Sequence, residues 1–293
     1  MKTLEIKKIL VPTDFSQTSM NIIEHAAFMA KLCKADLYLL HVVEPVEYAY
    51  SEYQPEIMVK DVRGVEHMTT KRLERIAGMI RNEYEINTIY ITKNGRLAPG
   101  VVRTAKQHKI DLIIMGIHGV TGIEEYIADN YVQKIIETSP CPVITLPSDA
   151  TTVGFSNIVV PIDNSLHSRQ KVNDVIEVAK QYHSIIHVLG FLDGNEEVAE
   201  RDLSIKLETV ENAIKHAGLH FVKKIVTGHN IASEAIKYSE EVKADLLAVM
   251  TNHESILSGI LWAKMAKQVI NHSKVPIMSI KPEEHYETFQ EIW

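Results

Sequence analysis

Cysteine is nearly missing: Cys33 and Cys141 are the two in 293 residues. Two thiols cannot build the disulfide framework that staples small secreted domains, so both read as ordinary reduced cysteines. Long apolar runs are missing as well. No stretch reaches the ~18 residues a membrane span requires, and the opening MKTLEIKKILVPTD lacks the apolar core of a secretory leader. Positive charge is in deficit. Against 38 Asp and Glu stand 31 Lys and Arg, a formal net charge of −7, with no basic stripe; this argues against nucleic acid as a partner. Catalytic signatures are lacking too: there is no G-x-S-x-G elbow, no Walker loop and no SGGxDS loop. The sequence therefore nominates no catalytic residue. At 45% hydrophobic and 24% charged, what remains is a globular chain, expected to be cytoplasmic and to have no membrane partner, with room for two domains.

What is present centres on Asp111–Pro147. Leu112–Met115 is an apolar run short enough for a strand buried on both faces. Gly116 and Gly119 follow, with His118 between them. Apolar residues at Ile123, Tyr126, Ile127, Val132, Ile135 and Ile136 then keep helical spacing until Pro140 and Pro142, and Val143–Leu146 reads as another strand. Strand, glycine loop, helix and strand make one βαβ unit. Glycines ahead of a helix let backbone approach an anion, and the unpaired N–H groups of the first helical turn point at it.

The chain repeats around this unit. VPTDFS (11–16) returns as VPIDNS (160–165), LHVV (40–43) as IHVL (186–189), KIDLIIMG (109–116) as KADLLAVM (243–250) and SPCPVITL (139–146) as SKVPIMSI (273–280). The offsets are 149, 146, 134 and 134 residues, so the trailing copy is about a dozen residues shorter, with the loss between its second and fourth strands. The repeat predicts a leading domain over 1–149, a trailing domain over 155–281 and a tail over 282–293. Five strands alternating with four helices in each copy imply a doubly wound α/β fold with a mostly parallel sheet and helices on both faces. Ligands of such sheets lie beyond the carboxyl ends of the strands, where the winding reverses. Asp14 and the Gly116–Gly119 loop are expected to converge there. Ser16 is the candidate N-cap of the first helix.

With Val11-Pro12-Thr13-Asp14, Leu40-His41-Val42 and MGIHG ahead of a helix, both copies resemble the universal stress protein family. The resemblance implies a five-stranded sheet of order 3-2-1-4-5 in each domain, and a family divided between ATP-binding and non-binding members. In binding members a G-x2-G-x9-G-(S/T) loop wraps the phosphates, while an aspartate after the first strand and backbone near the end of the second hold the nucleoside. Carried over, this nominates Thr13, Asp14, Val42, Met115, Gly116, His118, Gly119, Asp129 and Asn130 for an adenine nucleotide, ATP or AMP, with Mg²⁺. Asp129-Asn130 departs from the pattern, standing where Gly-Ser or Gly-Thr is expected. A carboxylate a few ångströms from a phosphate costs about 4 kcal/mol at an effective dielectric near 20, roughly three decades of affinity. A Mg²⁺ bridging Asp129 to phosphate reverses that sign. The trailing copy has Met250 and His253 at the glycine positions and Ala263-Lys264 at the Gly-Ser position, keeping only Asp163. Its cradle is expected to be filled in.

The competing readings are an interaction scaffold with both cradles lapsed, and a weak ATPase or autophosphorylating protein by analogy alone. Asp14 and Asp163 have a plainer role open to them, capping the turn into a helix. His41 and His187 are expected to be satisfied, half-buried histidines. His216 and His220 have metal-ligand spacing for a helix, but Gly218 between them predicts that the helix has ended. Tyr48, Tyr50 and Tyr53 form a surface loop or a lid. The last strand of each copy would be an edge, which invites pairing of the two domains within the chain or a homodimer. Phe289, Ile292 and Trp293 would fray or dock.

Overall fold

The computed structural model describes residues 4–44, 62–117, 125–148, 153–165, 168–193, 197–228, 230–251 and 274–282, with backbone alone at 62–63 and 125–130. Two compact units divide it, one of residues 6–140 and one of residues 141–293 together with the first five. The loop bearing Tyr48, Tyr50 and Tyr53, the segment with His253, Ala263 and Lys264, where the trailing copy's fourth helix is expected, and the tail from 283 lie outside the described residues. So do His118 and Gly119.

The first unit runs β1 (Lys8–Pro12), α1 (Gln17–Cys33), β2 (Asp36–Val43), α2 (Val62–Tyr84), β3 (Thr88–Asn94), α3 (Leu97–His108), β4 (Leu112–Gly116) and α4 (Glu125–Thr138). Its strands lie in the order β3-β2-β1-β4, and the β1–β2, β1–β4 and β2–β3 ladders are parallel. Ile9, Leu10 and Val11 in β1 and Leu112 and Ile113 in β4 are fully buried. Burial on both faces is what a parallel sheet with helices on either side demands, and it explains why these strands read as unbroken apolar runs. Ser16 caps α1, its hydroxyl accepting the Ser19 N–H at 3.1 Å. The helix stops at Lys34, which turns left-handed (φ 53°) and returns its N–H to the carbonyls of Ala30 and Lys31. Lys109 ends α3 in the same way (φ 52°). A lysine pays some steric strain in that conformation, but its cation suits the negative end of the helix.

The second unit runs β5 (Val143–Leu146), β6 (Asn157–Ile162), α5 (Lys171–Tyr182), β7 (Ile185–Leu192), α6 (Glu197–His216), β8 (His220–Thr227), α7 (Ile231–Glu241), β9 (Leu246–Met250) and β10 (Ile277–Ile280). The strand order is β5-β10-β9-β6-β7-β8. All its ladders are parallel except β5–β10, where Val143–Thr145 runs antiparallel to Ile277–Ser279. The contact division at residue 141 and the repeat boundary at 149 thus differ by one strand, β5. Among the described residues no helix is long and apolar enough to cross a membrane.

One device recurs in both units and ties the fourth strand of each copy to its first. Asp111, just before β4, accepts the N–H groups of Lys7 (3.0 Å) and Lys8 (2.9 Å) at the start of β1. Asp245, just before β9, accepts those of Ser156 and Asn157, both at 2.9 Å, at the start of β6. Neutral substitution strands two backbone donors at the entry of a central strand. Asp111→Ala and Asp245→Ala are each expected to lower unfolding free energy by about 1–3 kcal/mol, read as a shifted urea midpoint at unchanged slope; a loss below the measurement error would show that water replaces the carboxylate at no cost.

Candidate functional site

β1 lies between β2 and β4 in the first unit, so the chain crosses from one side of β1 to the other, and the carboxyl ends of β1, β2 and β4 lie at one edge, where sheets wound this way hold their ligands. Thr13 and Asp14 stand just after β1, Val42 near the end of β2, and Met115-Gly116 at the end of β4. Five of the nine nominated residues therefore share this edge.

Thr13 is buried; its N–H reaches the Leu40 carbonyl at 2.8 Å, and its hydroxyl accepts the Phe15 N–H at 3.1 Å. Asp14 both caps and presents. One carboxylate oxygen accepts the Ser16 N–H (2.9 Å) and the Ser19 hydroxyl (2.6 Å). Partial burial raises the pKa of this carboxyl, but hydrogen bonds from the Ser19 and Ser16 side chains and from backbone N–H groups outweigh it and hold the group below the ordinary carboxylate range. Asp14 is thus an ionised, half-exposed acceptor just after β1.

Val42 contributes backbone. The Leu40 carbonyl accepts from Thr13 on the β1 flank, while the Val43 carbonyl accepts the Gly95 N–H at 3.0 Å on the β3 flank. Peptide groups alternate along a strand, so the N–H and C=O of Val42 face the β1 flank, past Pro12 where β1 has ended. That donor–acceptor pair, held on a rigid strand, suits the edge of a heterocyclic base. The Val42 side chain is turned to α3, where a Cβ on Gly100 would come within 3.0 Å of it. At β4, Met115 and Ile117 are buried and Gly116 is partly open between them.

Asp129 and Asn130 are the fifth and sixth residues of α4. Both have helical backbone.

Sequence reasoning missed Phe15 and Arg72. Phe15 has a left-handed backbone (φ 67°), and its ring stacks on His41 with centroids 4.6 Å apart at 27°. The Arg72 guanidinium lies 4.5 Å over the same ring and donates to the Phe15 carbonyl at 3.2 Å. His41 also bonds the Thr13 carbonyl through Nδ1 at 2.7 Å, so it is a satisfied histidine, as expected. A rare positive φ on a bulky residue was the one available signal for Phe15, and it is a structural one. Arg72 is far away in the chain and carries none.

In the second unit, Asp163 repeats the turn of Asp14: one oxygen accepts the Ser165 N–H (3.0 Å) and hydroxyl (2.7 Å). The rest departs. Met250 is buried at the end of β9 where the leading copy has Gly116. Lys171, opening α5, is fully buried and donates to the Ser168 carbonyl at 2.7 Å. Burial pushes its pKa down to about 7, against the pull of Asp163. His187 bonds Tyr238 (3.3 Å) and Asn157 (3.2 Å), and burial lowers its pKa; its role is structural. His216 ends α6 and His220 begins β8, with Gly218 at φ 72° between them, so the i, i+4 spacing makes no metal pair. Among the described residues no group of three His, Cys, Asp or Glu could hold a metal ion. Neither Cys33 nor Cys141 is in a disulfide, and burial pushes the Cys33 pKa up to about 11.

Comparison with known proteins accords with the repeat. The model of the universal stress protein family matches twice, over residues 5–147 and 154–281. A universal stress protein of Methanocaldococcus jannaschii, MJ0531, is 28% identical over 142 residues, covering 48% of this chain and 81% of the relative. A Synechocystis universal stress protein is 22% identical over 304 residues, covering 94% of this chain and all of the relative. The crystal structure of a universal stress protein from Archaeoglobus fulgidus superposes with a TM-score of 0.73 at 16% identity, over 96% of this chain and 98% of that one, which shows a shared fold.

Lys171 sets a pH dependence. A lysine whose folded pKa lies near 7 and unfolded pKa near 10.5 lowers stability. The penalty is fully present below about pH 7 and is relieved as pH rises toward 10.5, because only the unfolded chain then binds the proton. Lys171→Met should raise unfolding free energy by about 1–4 kcal/mol at pH 7 and by clearly less at pH 10, measured by denaturant titration at both. An equal change at the two pH values would contradict a buried, reluctant ammonium.

Proposed function

The chain belongs to the universal stress protein family, and we propose that its leading copy is an adenine-nucleotide-binding module of a stress response in the cytoplasm. The observation that supports this reading is that three groups lie at the carboxyl ends of neighbouring strands: ionised Asp14, the outward peptide of Val42 and the glycine at 116. Asp14 suits a ribose hydroxyl. The Val42 N–H and C=O suit an adenine edge, and Thr13 and Met115 wall the pocket. Gly116, with Gly119 and His118 beyond the described residues, begins the phosphate cradle. Asp129 works against a bare triphosphate, so ATP is expected to bind with Mg²⁺ shared between its phosphates and that carboxylate, and AMP to be less sensitive to the metal. This chemistry is binding. Hydrolysis or autophosphorylation would need a positioned base, and the crevice offers none among the described residues outside Asp14, which its serines already engage.

A second reading, a scaffold with both cradles lapsed, is favoured by Asp129-Asn130 and by the burial of Met250. Under either reading the β5–β10 ladder supports pairing between a strand of the leading repeat and one of the trailing repeat, and a homodimer remains a further proposal.

Calorimetry with ATP and AMP, with and without Mg²⁺, decides between the two. The wild-type chain is expected to bind, Gly116→Val to lose binding because a branched side chain fills the cradle, and Asp129→Gly with Asn130→Ser to gain ATP affinity by about tenfold or more. No heat with either nucleotide at millimolar concentration leaves the scaffold reading standing. Equal affinity of the double variant and wild type would remove Asp129 from the site.

A further inference from the structure

One side chain holds the residue after Asp14 in two ways. Phe15 has a left-handed backbone (φ 67°), which costs a bulky residue steric energy. The Arg72 guanidinium lies 4.5 Å over its ring and donates to its carbonyl at 3.2 Å. A planar guanidinium can stack and donate at once, so a single group fixes both the ring and the peptide. From the other side of the residue, the Phe15 N–H is anchored on the Thr13 hydroxyl at 3.1 Å.

The repeat carries the same contact. Leu73, Ile76 and Ile80 on the buried side of α2 match Leu207, Val210 and Ile214 of α6 at an offset of 134 residues. At that offset Arg72 falls on Lys206, whose ammonium donates to the carbonyl of Asn164, the counterpart of Phe15 at an offset of 149. Both copies therefore send a cation from the second helix to the carbonyl of the residue that follows the aspartate. The left-handed backbone belongs to the leading copy: among the described residues Phe15 has a positive φ and Asn164 does not, although asparagine enters that region more readily. The turn as such does not require the conformation. What the leading copy adds is an aromatic ring under an arginine.

The consequence falls on Asp14. Its Oδ1 accepts the Ser16 N–H at 2.9 Å and the Ser19 hydroxyl at 2.6 Å, so the backbone of the turn sets where Oδ2 points. Relaxing Phe15 to a negative φ rotates the peptide between 15 and 16, which carries one of those two donors. We propose that Arg72 is a positioning residue of the leading site: by holding Phe15 left-handed through ring and carbonyl, it aims the second oxygen of Asp14 at a ribose hydroxyl. The ribose half of this rests on the nucleotide reading above; that Arg72 sets the Asp14 carboxyl does not.

Arg72 is exposed, so Arg72→Met is expected to fold, checked by circular dichroism. In the ligand-free full chain, carboxyl NMR titration should find Asp14 below the ordinary carboxylate range, as its serine bonds dictate, and raised in Arg72→Met. In a Phe15→Gly background, where glycine takes a positive φ at no steric cost, Arg72→Met should leave the titration unmoved. A rise of the same size in both backgrounds would mark the loss of a nearby charge, and no rise in either would show that Arg72 does not act on the turn; each overturns the proposal. Calorimetry then compares AMP with 2′,3′-dideoxy-AMP. Arg72→Met should weaken AMP by about tenfold, the worth of one hydrogen bond to a charged group, and the dideoxy ligand by less than about threefold. Equal losses would make Arg72 a general support of the fold and overturn its aiming role. No heat from either ligand with the wild-type chain would sink the nucleotide reading and the ribose half with it, and the carboxyl titration still decides whether Arg72 sets Asp14.

Discussion

Double-sided burial of a central parallel strand is the constraint on which each unit depends. Ile9, Leu10 and Val11 in β1, and Ile158, Val159 and Val160 in β6, are sealed from water on both faces. Such a strand can satisfy its peptide groups only through neighbours on both edges. β2 and β4 supply them in one unit, β7 and β9 in the other. Asp111 and Asp245 then hold the amino ends of the paired strands together. With the amino end tied, the carboxyl end is where strands of unequal length stop and backbone groups come free. The ligand edge is a consequence of how the sheet is closed at its other end.

At that edge the first unit gathers the groups of the proposed site, mostly backbone with one carboxylate kept ionised by hydrogen bonds from two serines. Its electrostatics are modest: Asp14 accepts, Val42 donates and accepts, Gly116 yields space. Arg72, the nearby cation, is occupied by the face and the carbonyl of Phe15. Phe15 in turn holds a left-handed backbone against His41. Strain of this kind persists where surrounding contacts over-determine it, and here it fixes the turn that aims Asp14.

The second unit keeps the turn and changes the surroundings. Asp163, Ser165 and Ser168 stand at the spacing of Asp14, Ser16 and Ser19, but Lys171 is buried where the first unit has Ile22, and Met250 where it has Gly116. A buried ammonium lowers stability unless something compensates it.

Much was legible beforehand. Apolar runs marked the strands because burial on both faces leaves no polar alternation to obscure them. Ser16 and Pro140 marked helix ends through rules that act within a few residues, and the tandem repeat followed from comparing the chain with itself. Asp14, Val42 and Gly116 were nominated by resemblance, and their placement at the ends of neighbouring strands by the winding rule. What only the tertiary structure decided is everything that depends on distant residues meeting. The stack of Arg72 and His41 on Phe15, the ladder of β5 on β10, and the meeting of Lys206 with the Asn164 carbonyl leave no local trace. The reason is physical: helix caps and strand burial are set by neighbours in sequence and by hydrophobic period, whereas a charge's partners and a strand's edge are chosen in space, after the chain has already folded around them.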